Sequence, residues 1–321
     1  MSRQHFTAND FVELVAQVLA EPVYGVRITR RETRLYSDVW FLRVDTKDGT
    51  KPLVVKSWES DAAFEKQVRL LENACTIFSN DKDVCIPYLG CLKQERLLIM
   101  PQVLDPNIAS FCRFSLQRPI RVRYLHHKTI MLEAACVGAG SWLREWHAET
   151  RNTGPLGSAF DAYFSSRTDL FAVISRKERD QILALTGNDD EVVMCAPHGD
   201  FTPPNLLWAP GRLTVLDFGL SEWEQMTPWW DYISMEIGLV HALQFAVKGL
   251  GAWFPRLRSL AIDAFRSGYG PMNCELQAKN ACLAVRHLVL YASDFEGGKQ
   301  FRRRAEWHKS ELQRVLAHAF P

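Results

Sequence analysis

The sequence predicts an α+β protein of two lobes, a small β-rich one followed by a larger, mostly helical one. Three observations predict it. Residues 26–103 run mainly in strand patterns, a polar stretch LDPNIAS follows, and beyond Asp105 apolar residues recur mainly at helical spacing. With 321 residues, 47% of them hydrophobic, the chain can bury a sizeable core and suits two lobes better than one. The division falls at LDPNIAS, which reads as a hinge, so residues 1–104 are expected to form the N-lobe and residues 105–321 the C-lobe.

Taken in order, Phe11, Leu14, Val15, Val18 and Leu19 share a helix face behind a Thr7 or Asn9 cap. VRITRR, DVWFLRVD and PLVVKSW read as three strands, the last two joined by a hairpin whose Asp48-Gly49 pair supplies positive φ. Ser60 caps the helix SDAAFEKQVRLLENACTIF, in which Phe64, Val68, Leu71 and Cys75 point one way, and VCIPYLGC and RLLIMPQV add two strands. A long helix over residues 128–149 carries Met131, Ala135, Trp142 and Trp146 inward. NLLW and LTVLDF then interrupt the helices with a hairpin. Residues 232–254 are mostly apolar, but Glu236, His241, Gln244 and Lys248 mark them as a buried helix of the core and not a membrane span.

Composition excludes several classes. A formal net charge of +1 implies neither nucleic acid nor an anionic membrane as partner. Eight cysteines lack CxxC pairs and zinc-ligand spacing, so they read as buried free thiols in a reducing compartment. The N-terminal segment lacks the basic, apolar and small-residue pattern of a secretory signal, and a soluble cytoplasmic protein is expected.

The polar residues concentrate in one place, APHGDFTPPNLLWAPGRLTVLDFG. His198-Gly199-Asp200 precedes Asn205 by a loop stiffened by Pro203 and Pro204, and Asp217-Phe218-Gly219 follows at the end of a strand. Asp, Asn, Pro and Gly form turns in any protein. Turns do not, however, require HGDxxxxN, then DFG, with Lys56 closing an upstream strand VVK. In that order these residues resemble the aminoglycoside phosphotransferase and choline-kinase-like branch of the protein-kinase-like fold. The Pro228-Trp229-Trp230-Asp231 segment and the helix SWLREWH match it too, and the likeness extends over residues 24–243.

The resemblance implies a bilobal protein-kinase-like fold and transfer of a γ-phosphoryl group from ATP or GTP to a hydroxyl of a small molecule such as a sugar, amino alcohol or antibiotic. It casts Asp200 as the residue that orients the acceptor hydroxyl or takes its proton, and His198 as a residue that fixes the loop. Asn205 and Asp217 would hold Mg²⁺, or Mn²⁺ in its place, and Lys56 would pair with nucleotide phosphates.

Two features depart from the pattern. The loop expected to cover the phosphates, ETRLYSDVWF, contains no glycine; the resemblance implies Ser37 as a candidate phosphate contact, and a plain turn serine is the other reading. The helix glutamate that should pair with Lys56 is assigned to Glu65, with Glu72 as the other acid on that side and Gln67 at the aligned position. After Asp231 seven acidic residues face twelve Lys and Arg, including Arg302-Arg303-Arg304, which favours a neutral or anionic acceptor over a polycation. A nucleotide-binding scaffold without catalysis is the alternative. A protein kinase is disfavoured by the short interval between Gly219 and Pro228 and the lack of an Ala-Pro-Glu motif.

Overall fold

The computed structural model describes residues 6–33, 37–112, 122–187, 191–218, 224–244, 253–272 and 276–320. The first elements are α1 (Ala8–Leu19), β1 (Val23–Thr33), β2 (Ser37–Thr46), β3 (Gly49–Trp58), α2 (Asp61–Ile77), β4 (Val84–Cys85), β5 (Gly90–Leu92) and β6 (Leu97–Pro101). Then come α3 (Ile108–Cys112), α4 (Val122–Glu149), β7 (Asn152–Pro155), α5 (Leu156–Ser166), α6 (Arg176–Thr186), β8 (Glu191–Met194), β9 (Leu206–Ala209) and β10 (Arg212–Val215). Four helices follow, α7 (Trp229–Gln244), α8 (Trp253–Tyr269), α9 (Leu276–Glu296) and α10 (Arg302–Ala319). The chain divides into two compact units: Met1–Asn107 with Asn205–Leu220, and Ile108–Pro204 with Ser221–Pro321. The β9–β10 hairpin thus belongs to the first unit, although a single cut at residue 104 assigns it to the second lobe.

The first unit is built on an antiparallel sheet of order β1-β2-β3-β6-β5. Side chains alternate between its faces. Trp40, Leu42, Val44, Leu53, Val55, Leu97 and Ile99 form one buried face, against which α1 sets Phe11 and Val15. Full burial of each of those two side chains stabilises by about 2 kcal/mol. Thr7 caps α1 in a capping box with Asp10, as its position before the apolar stripe predicts. The opposite face carries Val39, Phe41, Val54, Lys56 and Met100, which line a cavity within this unit. The β2–β3 turn places Gly49 at φ 110°, a conformation side chains oppose. Ser60 caps α2, which buries Phe64, Gln67, Val68 and Leu71, while Cys75 is only half-buried.

In the second unit α4 buries Ala135, Trp142 and Trp146 as expected, with Met131 half-buried. Gly140 of α4 and Gly268 of α8 face each other's helix so closely that a Cβ on either would strike backbone atoms. The helix α7 is buried on nearly all sides, which explains the apolar run as far as Gln244; the rest of the helix expected over residues 232–254 falls on residues 245–252, outside the described residues, and on the start of α8. Among the described residues no helix is long and apolar enough to cross a membrane. Seven cysteines are free thiols, four of them buried. Cys274 and Trp223 lie outside the described residues.

Candidate active site

The loop that carries Asp200 is fastened by a series of hydrogen bonds to its backbone. Cys195 exchanges backbone hydrogen bonds with Met226, and the Trp146 indole N–H donates to the Ala196 carbonyl at 2.7 Å. The next two backbone N–H groups converge on Asp231: His198 donates to one carboxylate oxygen at 2.6 Å and Gly199 to the other at 2.9 Å. Asp231 is 1% exposed and also meets His147 Nε2 at 3.5 Å, whose Nδ1 is 2.9 Å from the Tyr269 hydroxyl. Burial alone would raise the Asp231 carboxyl. The hydrogen bond and charge of His147, with the His198 contacts, outweigh it and hold the group below the usual carboxylate range. Gly199 sits at φ 89°, so the turn into Asp200 favours glycine.

His198 is fully buried, with its ring edge-on to Trp142 and Phe201, and its Nδ1 accepts from the Asp200 backbone N–H at 3.3 Å. That fixes the tautomer: Nδ1 is the unprotonated nitrogen. Asp200 itself is part-exposed, and its carboxylate meets Arg286 of α9, Nη2 to Oδ1 3.8 Å.

The other predicted residues assemble within the first unit. Asn205 precedes β9 and Asp217 follows β10, so the antiparallel register of Leu206 with Val215 brings both to one end of the hairpin. The Leu216 N–H donates to the Asn205 carbonyl at 2.9 Å. Asp217 adopts φ 54°, a left-handed conformation that Asp tolerates better than most residues but that still costs on the order of 1 kcal/mol. Its carboxylate lies 3.0 Å from Lys56 Nζ, joining residues far apart in sequence. Lys56 is 3% exposed, and its ammonium also lies 4.7 Å from the centre of the Trp58 ring. Lys56 and Asp217 border a cavity of about 160 Å³ whose walls are otherwise mostly apolar, among them Val39, Phe41, Leu207 and Leu216.

Ser37 begins β2 opposite Trp58, and Val39 stands opposite Lys56, so Ser37 and Lys56 share a sheet face. Ser37 is buried. Residues 34–36 of the covering loop lie outside the described residues. Glu65 is not brought to Lys56: it occupies the exposed side of α2, and the ion pair of Lys56 is with Asp217. The assignment of Glu65 as the lysine's partner is corrected on this point. Gln67 takes the inward place, 2% exposed, with its side-chain carbonyl oxygen lacking a hydrogen-bond partner. Glu72 receives a hydrogen bond from the Tyr88 hydroxyl at 3.2 Å.

Among the described residues no group of three or more His, Cys, Asp or Glu could hold a metal unaided. Asn205 and Asp217 nonetheless suit a hard divalent cation such as Mg²⁺, which characteristically takes one or two protein oxygens and completes its shell with phosphates and water. Gly219 lies outside the described residues. Sequence reasoning gave no role to Asp231 or His147, although both stand in quoted segments, and passed over Arg286. Asp231 was legible as the end of Pro-x-x-Asp; nothing local to Arg286 marks it.

No protein-family model and no curated protein matches this sequence. By structure the chain is similar to APH(2")-IIa in complex with gentamicin, at 14% identity and TM-score 0.54 over 97% of each chain. It is similar also to a spectinomycin phosphotransferase bound to ADP and spectinomycin, at 16% identity and TM-score 0.52, covering 99% of this chain and 98% of that one. A third is a macrolide 2'-phosphotransferase from Brachybacterium faecium, at 16% identity and TM-score 0.50, covering 94% and 97%. The chain therefore has the α+β, kinase-like fold of the aminoglycoside phosphotransferase group.

Proposed function

We propose that this protein is a Mg²⁺-dependent kinase that transfers the γ-phosphoryl group of ATP or GTP to a hydroxyl of a small, neutral or anionic molecule. The observation that carries the reading is the Lys56–Asp217 ion pair at 3.0 Å beside an apolar cavity. It unites the strand lysine and the DFG aspartate at a place where a flat nucleobase can lie against Val39, Phe41 and Leu216. The solved phosphotransferases of the same fold, one of them holding ADP, support it.

In this reading Lys56 receives the nucleotide phosphates, and Asn205 and Asp217 offer oxygens to the cation. That cation, when bound, neutralises charge on the phosphates. Asp200 aligns the acceptor hydroxyl and takes its proton as the oxygen attacks phosphorus, while the buried Asp231 carboxylate keeps the loop still. Localisation in the cytoplasm and the absence of nucleic-acid or membrane partners belong to the same proposal.

A non-catalytic nucleotide-binding scaffold is the second reading, favoured by the glycine-free covering sequence and by Gln67 in the inward position of α2. Asp200→Ala separates the two. The kinase reading expects unchanged metal–nucleotide affinity by calorimetry and transfer to hydroxyl compounds reduced by about 10²-fold or more. If neither wild type nor variant phosphorylates any hydroxyl compound in a broad screen with Mg²⁺ or Mn²⁺, the scaffold stands instead.

A further inference from the structure

Arg286 is a cation that the reaction outlined above does not use. Its side chain is 12% exposed, and burying a guanidinium is costly unless anions and acceptors compensate it. The compensation present is incomplete. Among the described residues its ion pair is with Asp200 at 3.8 Å, longer than a hydrogen bond, and its buried Nε has no hydrogen-bond partner there. The nearby acid on its own helix, Asp294, is engaged by Arg304. The guanidinium is held in place from below, 5.3 Å from the centre of the Trp230 ring, and Trp230 is 2% exposed. Two turns earlier on α9, Lys279 stands in the same relation to Trp229, at 5.1 Å. A buried tryptophan pair thus props two cations on one helix face, one of them against the carboxylate proposed to orient the acceptor.

From this we infer that Arg286 is a specificity-determining residue that receives a carboxylate or phosphate group on the acceptor, so that the substrate is a hydroxy acid or other anionic hydroxyl compound. The inference rests on the kinase reading and narrows it. An incoming anion adds the close hydrogen-bonded partner that the long contact with Asp200 does not provide, and the two-pronged fork of Arg suits both oxyanion types. The acceptor is then fixed at two points, its anion on Arg286 and its hydroxyl on Asp200. The chemistry balances without further reagents: the hydroxyl oxygen bonds to the γ-phosphorus, the bond to the bridging oxygen breaks, the nucleoside diphosphate leaves, and the hydroxyl proton passes to Asp200 and on to water.

The test uses acceptors of matched skeleton in which one hydroxyl-bearing group is exchanged for a carboxylate or an amine: glucose, glucuronate and glucosamine, and glycerol, glycerate and 2-amino-1,3-propanediol. Nucleoside diphosphate release is followed with wild type, Arg286→Gln and Arg286→Lys, and nucleotide affinity is measured for each variant to show that it is folded. Glucuronate and glycerate are also titrated calorimetrically without nucleotide, which reads recognition apart from turnover. The expected result is preference for a carboxylate acceptor. Arg286→Gln should lower kcat/KM for it by about 10- to 100-fold, mainly through KM, as for loss of a charged hydrogen-bond partner. Turnover of the neutral acceptor should fall much less than that of the carboxylate, and Arg286→Lys should restore part of the loss. Preference for neutral or amino acceptors overturns the inference and leaves the kinase reading standing. An equal fall in kcat for neutral and carboxylate acceptors also overturns it, because Arg286 then serves the phosphoryl group in transfer. If neither carboxylate is turned over or binds in an Arg286-dependent manner, the inference falls, and the broad screen with Mg²⁺ or Mn²⁺ decides the kinase reading separately.

Discussion

Lys56 and Asp217 illustrate what a single residue can reveal of itself. Lys56 follows the apolar run Leu53–Val55 inside β3 and Asp217 follows β10 by two residues, so each is a charge set beside apolar neighbours, and the ion pair between them supplies its compensation. Lys56→Met tests the role because methionine keeps most of the buried stem and removes only the cation. Asp217 is 22% exposed on its side chain and hydrates when its partner is lost, so the protein should stay folded with stability changed by about 1 kcal/mol. Metal–nucleotide affinity should fall by about tenfold or more, the value of a charge-assisted phosphate contact. Equal calorimetric affinity in both forms would remove Lys56 from the site. Glu65 was misread for a physical reason. Its charge drew attention, whereas position relative to Phe64, Val68 and Leu71 decides which side of α2 points inward, and that rule selects Gln67. Arg286 was illegible because its partners Asp200 and Trp230 come to it through tertiary packing alone.

At the scale of elements, helices and strands were largely legible: the caps of α1 and α2, the Gly49 turn and the hairpin after Asn205 all follow from local chemistry. Contacts between elements were not, because glycine in a helix carries no periodic signal. Gly238 of α7 is the case that bears on function. A Cβ there would overlap the Pro203 ring beside Thr202, so the helix approaches the Asp200 loop only because the position lacks a side chain. Helix propensity alone would make Gly238→Ala stabilising by roughly 1 kcal/mol. Overlap with a proline ring, which cannot rotate away, reverses the sign, and a net loss of about 1–3 kcal/mol is expected, as for overpacking of a core. Since the displaced atoms belong to the Asp200 loop, transfer should fall more than nucleotide affinity does. Denaturant midpoints and steady-state kinetics check both parts. A more stable variant of unchanged kcat would show that the loop and α7 are not in contact as described.

For the molecule as a whole, the change from strand to helix patterning suggests a cut at residue 104, whereas the first unit comprises Met1–Asn107 with Asn205–Leu220, and the return of the β9–β10 hairpin was beyond a linear reading, since β10 pairs with β4 from far earlier in the chain. The second unit likewise depends on groups that meet only after folding. His241 of α7, His287 of α9 and His308 of α10 gather where the three helices pack, with His287 and His308 Nδ1 atoms 2.9 Å apart and the His241 and His308 ring centres 4.7 Å apart. Burial, then the surrounding arginines and the other rings, lowers their pKa values to about 4, about 3 and about 2 respectively. Arg286, Arg304 and Arg314 are the charges bearing on them, and Asp294 lies 3.9 Å from His308 Nε2. All three rings are therefore neutral in the folded protein at pH 7, whereas in the unfolded chain each takes up a proton as pH falls through about 6.5. Their contribution is complete above that value and is lost below it, at up to about 1.4 kcal/mol per pH unit for each ring until its folded pKa is reached. Between pH 6.5 and 5, above the range in which most carboxylates titrate, urea midpoints should fall steeply, and His308→Gln should reduce that slope by roughly a third. A midpoint that stays level across this interval would mean that the rings are hydrated or already charged in the folded protein, and that the three helices do not close over them.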